Sequence, residues 1–185
     1  LPETQFIDLN LNSKIMKSDK INDFDFSGRT FFFDHIDNFI VTADWEGTFH
    51  YTSIKNLEAK EDIIEFKKID TNFQSNDFDQ LLDIMISNDL LYVSQSYEKD
   101  QCYYFRILSA KFDENFLEFE EVFNSNECFE DYQSYRSGKI VEYTNENKKG
   151  LLISLVDRLE FEPKNSKSQD DGSIYGKIIF LDPKT

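Results

Sequence analysis

Two histidines, two cysteines and one tryptophan are the residues of this 185-residue chain whose chemistry is scarce enough to mark a site. His35 and His50 each fall in an aromatic-flanked strand or tight turn. Neither sits in a spacing that builds a metal centre, so both read as core or surface histidines rather than ligands. Trp45, in "DWEGT", reads as a packing aromatic, with stacking on a sugar ring as the alternative. The acid-rich stretches "NSNECFEDYQ" and "KSQDDGS" lack the alternating Asp-x-Asp-x-Asp-Gly order and distal Glu of an EF-hand, and they read as solvated loops. The sequence contains no phosphate loop, Gly-x-Ser-x-Gly elbow or zinc pair.

The cysteines say more. A hairpin turning at Glu114 sets Cys102 opposite residue 125 or 126, a few residues short of Cys128, so the two are expected near each other. A Cys102–Cys128 disulfide would close a loop of about 27 residues, worth about 3.5 kcal/mol in the chain-entropy model. Two buried free thiols are the other possibility. A bridge implies an oxidising compartment, periplasmic or extracellular.

Positioning these residues needs a fold, and composition bounds it. The chain is 39% hydrophobic and 30% charged, enough apolar material for a core in one globular domain. Its net charge of −16 repels phosphates and anionic lipid, which argues against a nucleic acid partner and against membrane association. No apolar stretch approaches the roughly 20 residues that span a bilayer, so membrane insertion is not expected. The start, "LPETQF", shows no charged-then-apolar leader, and a processed mature chain or a fragment is expected.

Hydrophobic runs recur as a unit: a strand, a tight Asn- or Gly-containing turn, a second strand, and a longer polar hairpin. The clearest copy predicts strands over 83–87, 90–95, 103–111 and 116–123, turning at Asn88-Asp89, at 97–101 and at 113–115. An earlier copy predicts strands over 30–33, 39–43, 48–54 and 63–69; "NLEAKEDIIEFKK" also scores as a short helix. A later copy runs "GKIVEYTNENKKGLLISLVD" and "YGKIIFLDPKT" and lacks a fourth strand. Second strands start near Phe39, Leu90 and Leu151, a period of about 50–60 residues, close to a propeller blade. The expectation is an all-β partial β-propeller of about three four-stranded antiparallel blades, half of a six-bladed ring. The alternative is an antiparallel β-sandwich or barrel. Residues 1–28 read as an N-terminal strap or closing strand, and the blades as 29–77, 78–128 and 129–185, the last incomplete.

The run of "DLLYVSQSY", "YFRILSAKFDENFLEFEEVF", "YQSYRSGKIVEY", "GLLISLVD" and "YGKIIFLDPKT" resembles the N-terminal half of the soluble quinoprotein glucose/sorbosone dehydrogenase family, which are six-bladed propellers. The resemblance implies an oxidoreductase that binds pyrroloquinoline quinone and calcium and oxidises a sugar hydroxyl. The family's catalytic histidine falls on Tyr132 if "YQS" is matched, or on Tyr135 if "YRSGKI" is matched. Gln133 and Arg136 neighbour these positions, and Asp157 matches the aspartate that orients the histidine. A tyrosine, with an ordinary pKa near 10, needs a shift of about three units to act as a base at neutral pH. The chain is therefore expected to lack catalysis and to bind no cofactor by itself, with quinone and calcium belonging to a complete family member. A non-catalytic scaffold for protein or glycan binding is the alternative. The expected partner is a second chain or a C-terminal half that completes the ring, with a sugar as a possible ligand.

Overall fold

The structure, a computed structural model, describes residues 31–58, 65–74, 80–128, 137–145, 148–157 and 167–183. It is all-β. The first sheet holds β1 (Phe31–Ile36), β2 (Phe39–Asp44), β3 (Phe49–Ser53), β4 (Lys67–Thr71) and, from further along the chain, β8 (Phe116–Leu117). The second holds β5 (Gln80–Ser87), β6 (Leu90–Lys99), β7 (Cys102–Lys111) and β9 (Glu120–Asn124); the third holds β10 (Ile140–Thr144), β11 (Lys149–Ser154) and β12 (Ile178–Leu181). Each is an antiparallel series of neighbouring strands, apart from a parallel β4–β8 bridge, and none closes on itself. Among the described residues, helix is limited to α1 (Ile54–Glu58) and a 3₁₀ turn at Lys167–Gln169.

Local chemistry explains the hairpins. Asn88 and Asp89 take φ of 50° and 64°, and Asp100 and Gln101 take 54° and 62°. Two successive left-handed residues make the turn whose twist matches a two-residue hairpin, and Asn and Asp tolerate that region better than most. The turn expected at 97–101 is thus confined to 100–101, and β6 runs on to Lys99. The fourth strand expected over 116–123 divides. Phe116–Leu117 pairs with Asp70 and Thr71 of the first sheet, while Glu120–Asn124 pairs with β7. After β3 the chain forms the helix α1, which takes up Ile54 and the first residues of "NLEAKEDIIEFKK"; of the strand expected over 63–69, residues 67–69 lie in β4, which runs on to Thr71, and residues 63 and 64 lie outside the described residues.

The sheets stack face to face. Val41, Phe49 and Ile69 of the first sheet pack with Leu91, Val93 and Leu108 of the second. From its opposite face, Tyr92, Phe105 and Ile107 pack with Ile140, Leu151 and Ile153 of the third. The second sheet is therefore covered on both sides, and β6 is buried at every position from Leu91 to Ser96. An antiparallel sheet with one wet face would alternate instead.

A carboxylate bridges each junction. Asp34 of β1 accepts the backbone N–H of Ile86 in β5 at 2.6 Å. Asp83 of β5, its side chain 2% exposed, accepts the N–H of Ile140 in β10 at 2.8 Å and the Lys139 ammonium at 2.7 Å. The first strands of successive sheets are thereby laid side by side. Gly138 is required at this junction, because a Cβ there would meet Leu82 at 2.9 Å and Phe105 at 3.1 Å.

Candidate functional site

Hairpin connectivity sends the turns 45–47 and 100–101 and the segments 125–128, 155–157 and 167–177 to one end of the stack. The backbone bond from Leu81 N–H to the Trp45 carbonyl joins the first two sheets there. Asp157 lies at this end, just past β11. Its carboxylate accepts the backbone N–H groups of Lys167 at 2.8 Å and Ser168 at 3.2 Å, so it organises the 3₁₀ turn. Tyr132, Gln133, Tyr135 and Arg136 lie outside the described residues.

Two other ionic groups fix the same loop. Glu127 accepts from the Ser173 hydroxyl at 2.8 Å and the Ile174 N–H at 3.1 Å, tying the second sheet to the third. Lys177 donates to three carbonyls, of Lys167, Asp170 and Ser173, at 3.1, 2.7 and 2.8 Å. Gly176 takes a φ of 72° beside Ser168 and Asp157, a conformation that suits glycine. The two Gly-Lys pairs in "SGKIVEY" and "YGKIIFLD" thus both have packing roles: Lys139 meets Asp83, and Lys177 fills a carbonyl cradle.

Cys102 and Cys128 form a disulfide with their Cα atoms 5.2 Å apart. The sequence register placed Cys102 opposite residue 125 or 126, and the structure corrects it. An irregularity opposite Ile107 and Leu108 adds one residue to β9, giving Arg106↔Asn124. Counted on past the end of β9 at Asn124, that register sets 102 against 128.

Sequence reasoning missed a cluster at this end of the second sheet. The Arg106 guanidinium lies 4.5 Å from the Tyr97 ring centroid, and Tyr97 stacks on Tyr104 at 5.6 Å. Arg106 Nε donates to the Gln95 side-chain oxygen Oε1 at 2.8 Å, its Nη1 lies 3.8 Å from the Glu121 carboxylate, and Asn124 donates to the Tyr97 hydroxyl at 2.6 Å. Tyr97 and Tyr104 are directly opposed in the register. The alternation of Tyr104 and Arg106 carries the signal, but a turn expected over 97–101 takes Tyr97 out of the strand that holds it. Such a half-buried aromatic and guanidinium surface can stack on a ring or an apolar sugar face and hydrogen-bond at its margin.

Trp45 is half-buried beside the first sheet. His35 is exposed next to Asp34, with 3.4 Å between Nδ1 and the nearer carboxylate oxygen. His50 faces Thr42 and Lys68, and burial holds its pKa below the ordinary 6.5, with Lys68 adding to the effect and Asp44 opposing it. Among the described residues, no three His, Cys, Asp or Glu side chains converge as a metal site requires. No described helix is long and apolar enough to cross a membrane. Comparison with family models, curated proteins and solved structures finds no match to this chain.

Proposed function

We propose that the chain is a non-catalytic scaffold of blade-like sheets that binds a glycan or a protein through the Tyr97–Tyr104–Arg106 surface. The carrying observation is that surface. It is aromatic and rigidly held, with the Arg106 guanidinium 3.8 Å from the Glu121 carboxylate, while Asp157, Glu127 and Lys177, elsewhere at this end of the stack, are committed to backbone groups. Recognition needs the first arrangement, whereas turnover needs an uncommitted acid or base. The propeller-like reading draws support from the face-to-face stacking and the repeated carboxylate at each junction. A glycan array probed with the wild type, Tyr104→Ala and Arg106→Ala tests the surface. Both variants are expected to lose whatever the wild type captures, and retention by both would overturn the reading. If no glycan is captured, the same comparison is run with captured proteins.

A further β-layer over the third sheet belongs to this reading, from a second chain or from additional sequence. The outer row Val141–Leu152–Phe180 crosses all three strands of that sheet, and Val141, Ile178 and Phe180 are 48%, 71% and 40% exposed. Sedimentation showing a stable monomer with no partner would count against it. A disulfide fits export to a periplasm or the exterior. The dehydrogenase-like reading rests on Asp157 at the end of β11. Dye reduction with aldoses, pyrroloquinoline quinone and calcium would revive it.

A further inference from the structure

At the opposite end of the stack, a cleft of about 590 Å³ opens between the second and third sheets, lined by Asn88, Leu90, Tyr92, Glu142, Lys149 and Leu151 among others. Its volume lies within the range of small-ligand pockets. Tyr92 is 5% exposed, and among the described residues its hydroxyl makes no hydrogen bond. A buried hydroxyl without a partner is uncommon, and one that lines a cleft is a donor waiting for an acceptor. Burial, with the Glu142 charge nearby, raises the Tyr92 pKa, so the phenol keeps its proton.

The rim supplies the complementary group. Glu142 pairs with the Lys149 ammonium at 3.0 Å, and Lys149 also donates to the Asn88 side-chain oxygen at 3.2 Å. Hydrogen bonds from Lys149, Ser87 and Asn88 hold the Glu142 carboxyl below its ordinary range. The carboxylate is anionic and an acceptor, and its charge is balanced locally by Lys149. Asp182 also lines the cleft, so its rim holds two carboxylates and one ammonium; an anion is disfavoured there, and a neutral ligand leaves the Glu142–Lys149 pair intact. The walls are apolar at Leu90, Leu151 and the Tyr92 ring, which disfavours a molecule hydroxylated on every side.

We propose that this cleft binds a neutral amide flanked by apolar groups, its carbonyl accepting from the Tyr92 hydroxyl and its N–H donating to the Glu142 carboxylate. The inference is independent of the glycan-binding surface at the other end. The test is an amide-resonance NMR titration of the full chain with N-acetyl-leucinamide, alongside glycerol at equal concentration. N-acetyl-leucinamide is expected to give saturable shifts at residues 88–92, 142 and 149–151, and glycerol none. Tyr92→Phe retains the ring and removes a hydroxyl that bonds nothing in the free protein, so the fold should persist while affinity falls about fivefold. Glu142→Ala, at a rim position, should weaken binding to a similar extent. The proposal is overturned by absent cleft shifts, by affinity unchanged in either variant, or by an equal response to glycerol.

Discussion

Asp83→Ala is expected to destabilise the protein by about 1–4 kcal/mol, and the components can be worked from the junction it holds. Ile140 is 2% exposed, and its N–H donates to Asp83 at 2.8 Å. Removing the carboxylate strands that buried donor, at a cost of about 1–3 kcal/mol. The Lys139 side chain is 69% exposed and rehydrates when the carboxylate goes, so the lost ion pair adds less than about 1 kcal/mol. Asp83→Asn separates the two contributions, since an amide oxygen still accepts from Ile140 while the charge is gone. It should cost about 1 kcal/mol, and Lys139→Ala about the same or less. Urea unfolding followed by circular dichroism and by fluorescence of the single tryptophan reads all three variants, with the slope on denaturant expected to hold. Equal losses in Asp83→Ala and Asp83→Asn, or a loss below about 0.5 kcal/mol in Asp83→Ala, would refute the claim that the Ile140 hydrogen bond dominates this junction.

Other outcomes follow from the same geometry. Because His50 has a folded-state pKa below its ordinary 6.5, the unfolded chain takes up the proton first as the pH drops. Its contribution is complete above about pH 6.5 and lost as the pH falls through 6.5 towards the folded value; His50→Asn should flatten that part of a stability–pH curve, and an unchanged slope would contradict the assignment. Replacing both Cys102 and Cys128 by Ser should cost about 3.5 kcal/mol by urea titration, and intact mass should rise by two hydrogens on reduction of the unfolded wild type. Gln101→Gly should raise stability by up to about 1 kcal/mol, since Gln101 is exposed and holds a φ of 62° that glycine adopts freely. A melting temperature lower than the wild type's would show that the Gln101 side chain matters more than its backbone strain.

The hairpins were legible because their causes are local. Asn88-Asp89 and the alternating runs beside it specify turn and strand within a few residues. What escaped depends on the neighbouring sheet. Phe116-Leu117 looks like the start of one continuous strand, and only the packing of the second sheet beside the first diverts it to β4. Asp34 follows the strand expected over 30–33 and Asp83 opens the one expected over 83–87, and nothing local shows that an N–H from the next sheet needs each carboxylate. Tyr97 was lost because "SYEK" is polar enough to pass for a turn, although β6 carries it opposite Tyr104. Asp157 was found by resemblance, and the structure places it at the loop-rich end, bonded to the N–H groups of Lys167 and Ser168.

The extra residue in β9 gives the disulfide a second meaning. Ile107 faces Phe123, whereas Leu108 faces Glu121, so Val122 is the inserted residue. Were the two strands paired without it, Cys102 would meet Glu127, and Cys128 would point to the opposite side of the sheet. The one-residue irregularity brings the chain after β9 into step with Cys102, so the bridge is expected to form faster in chains that have inserted Val122 than in straight-paired ones, whose two thiols stay open to rearrangement.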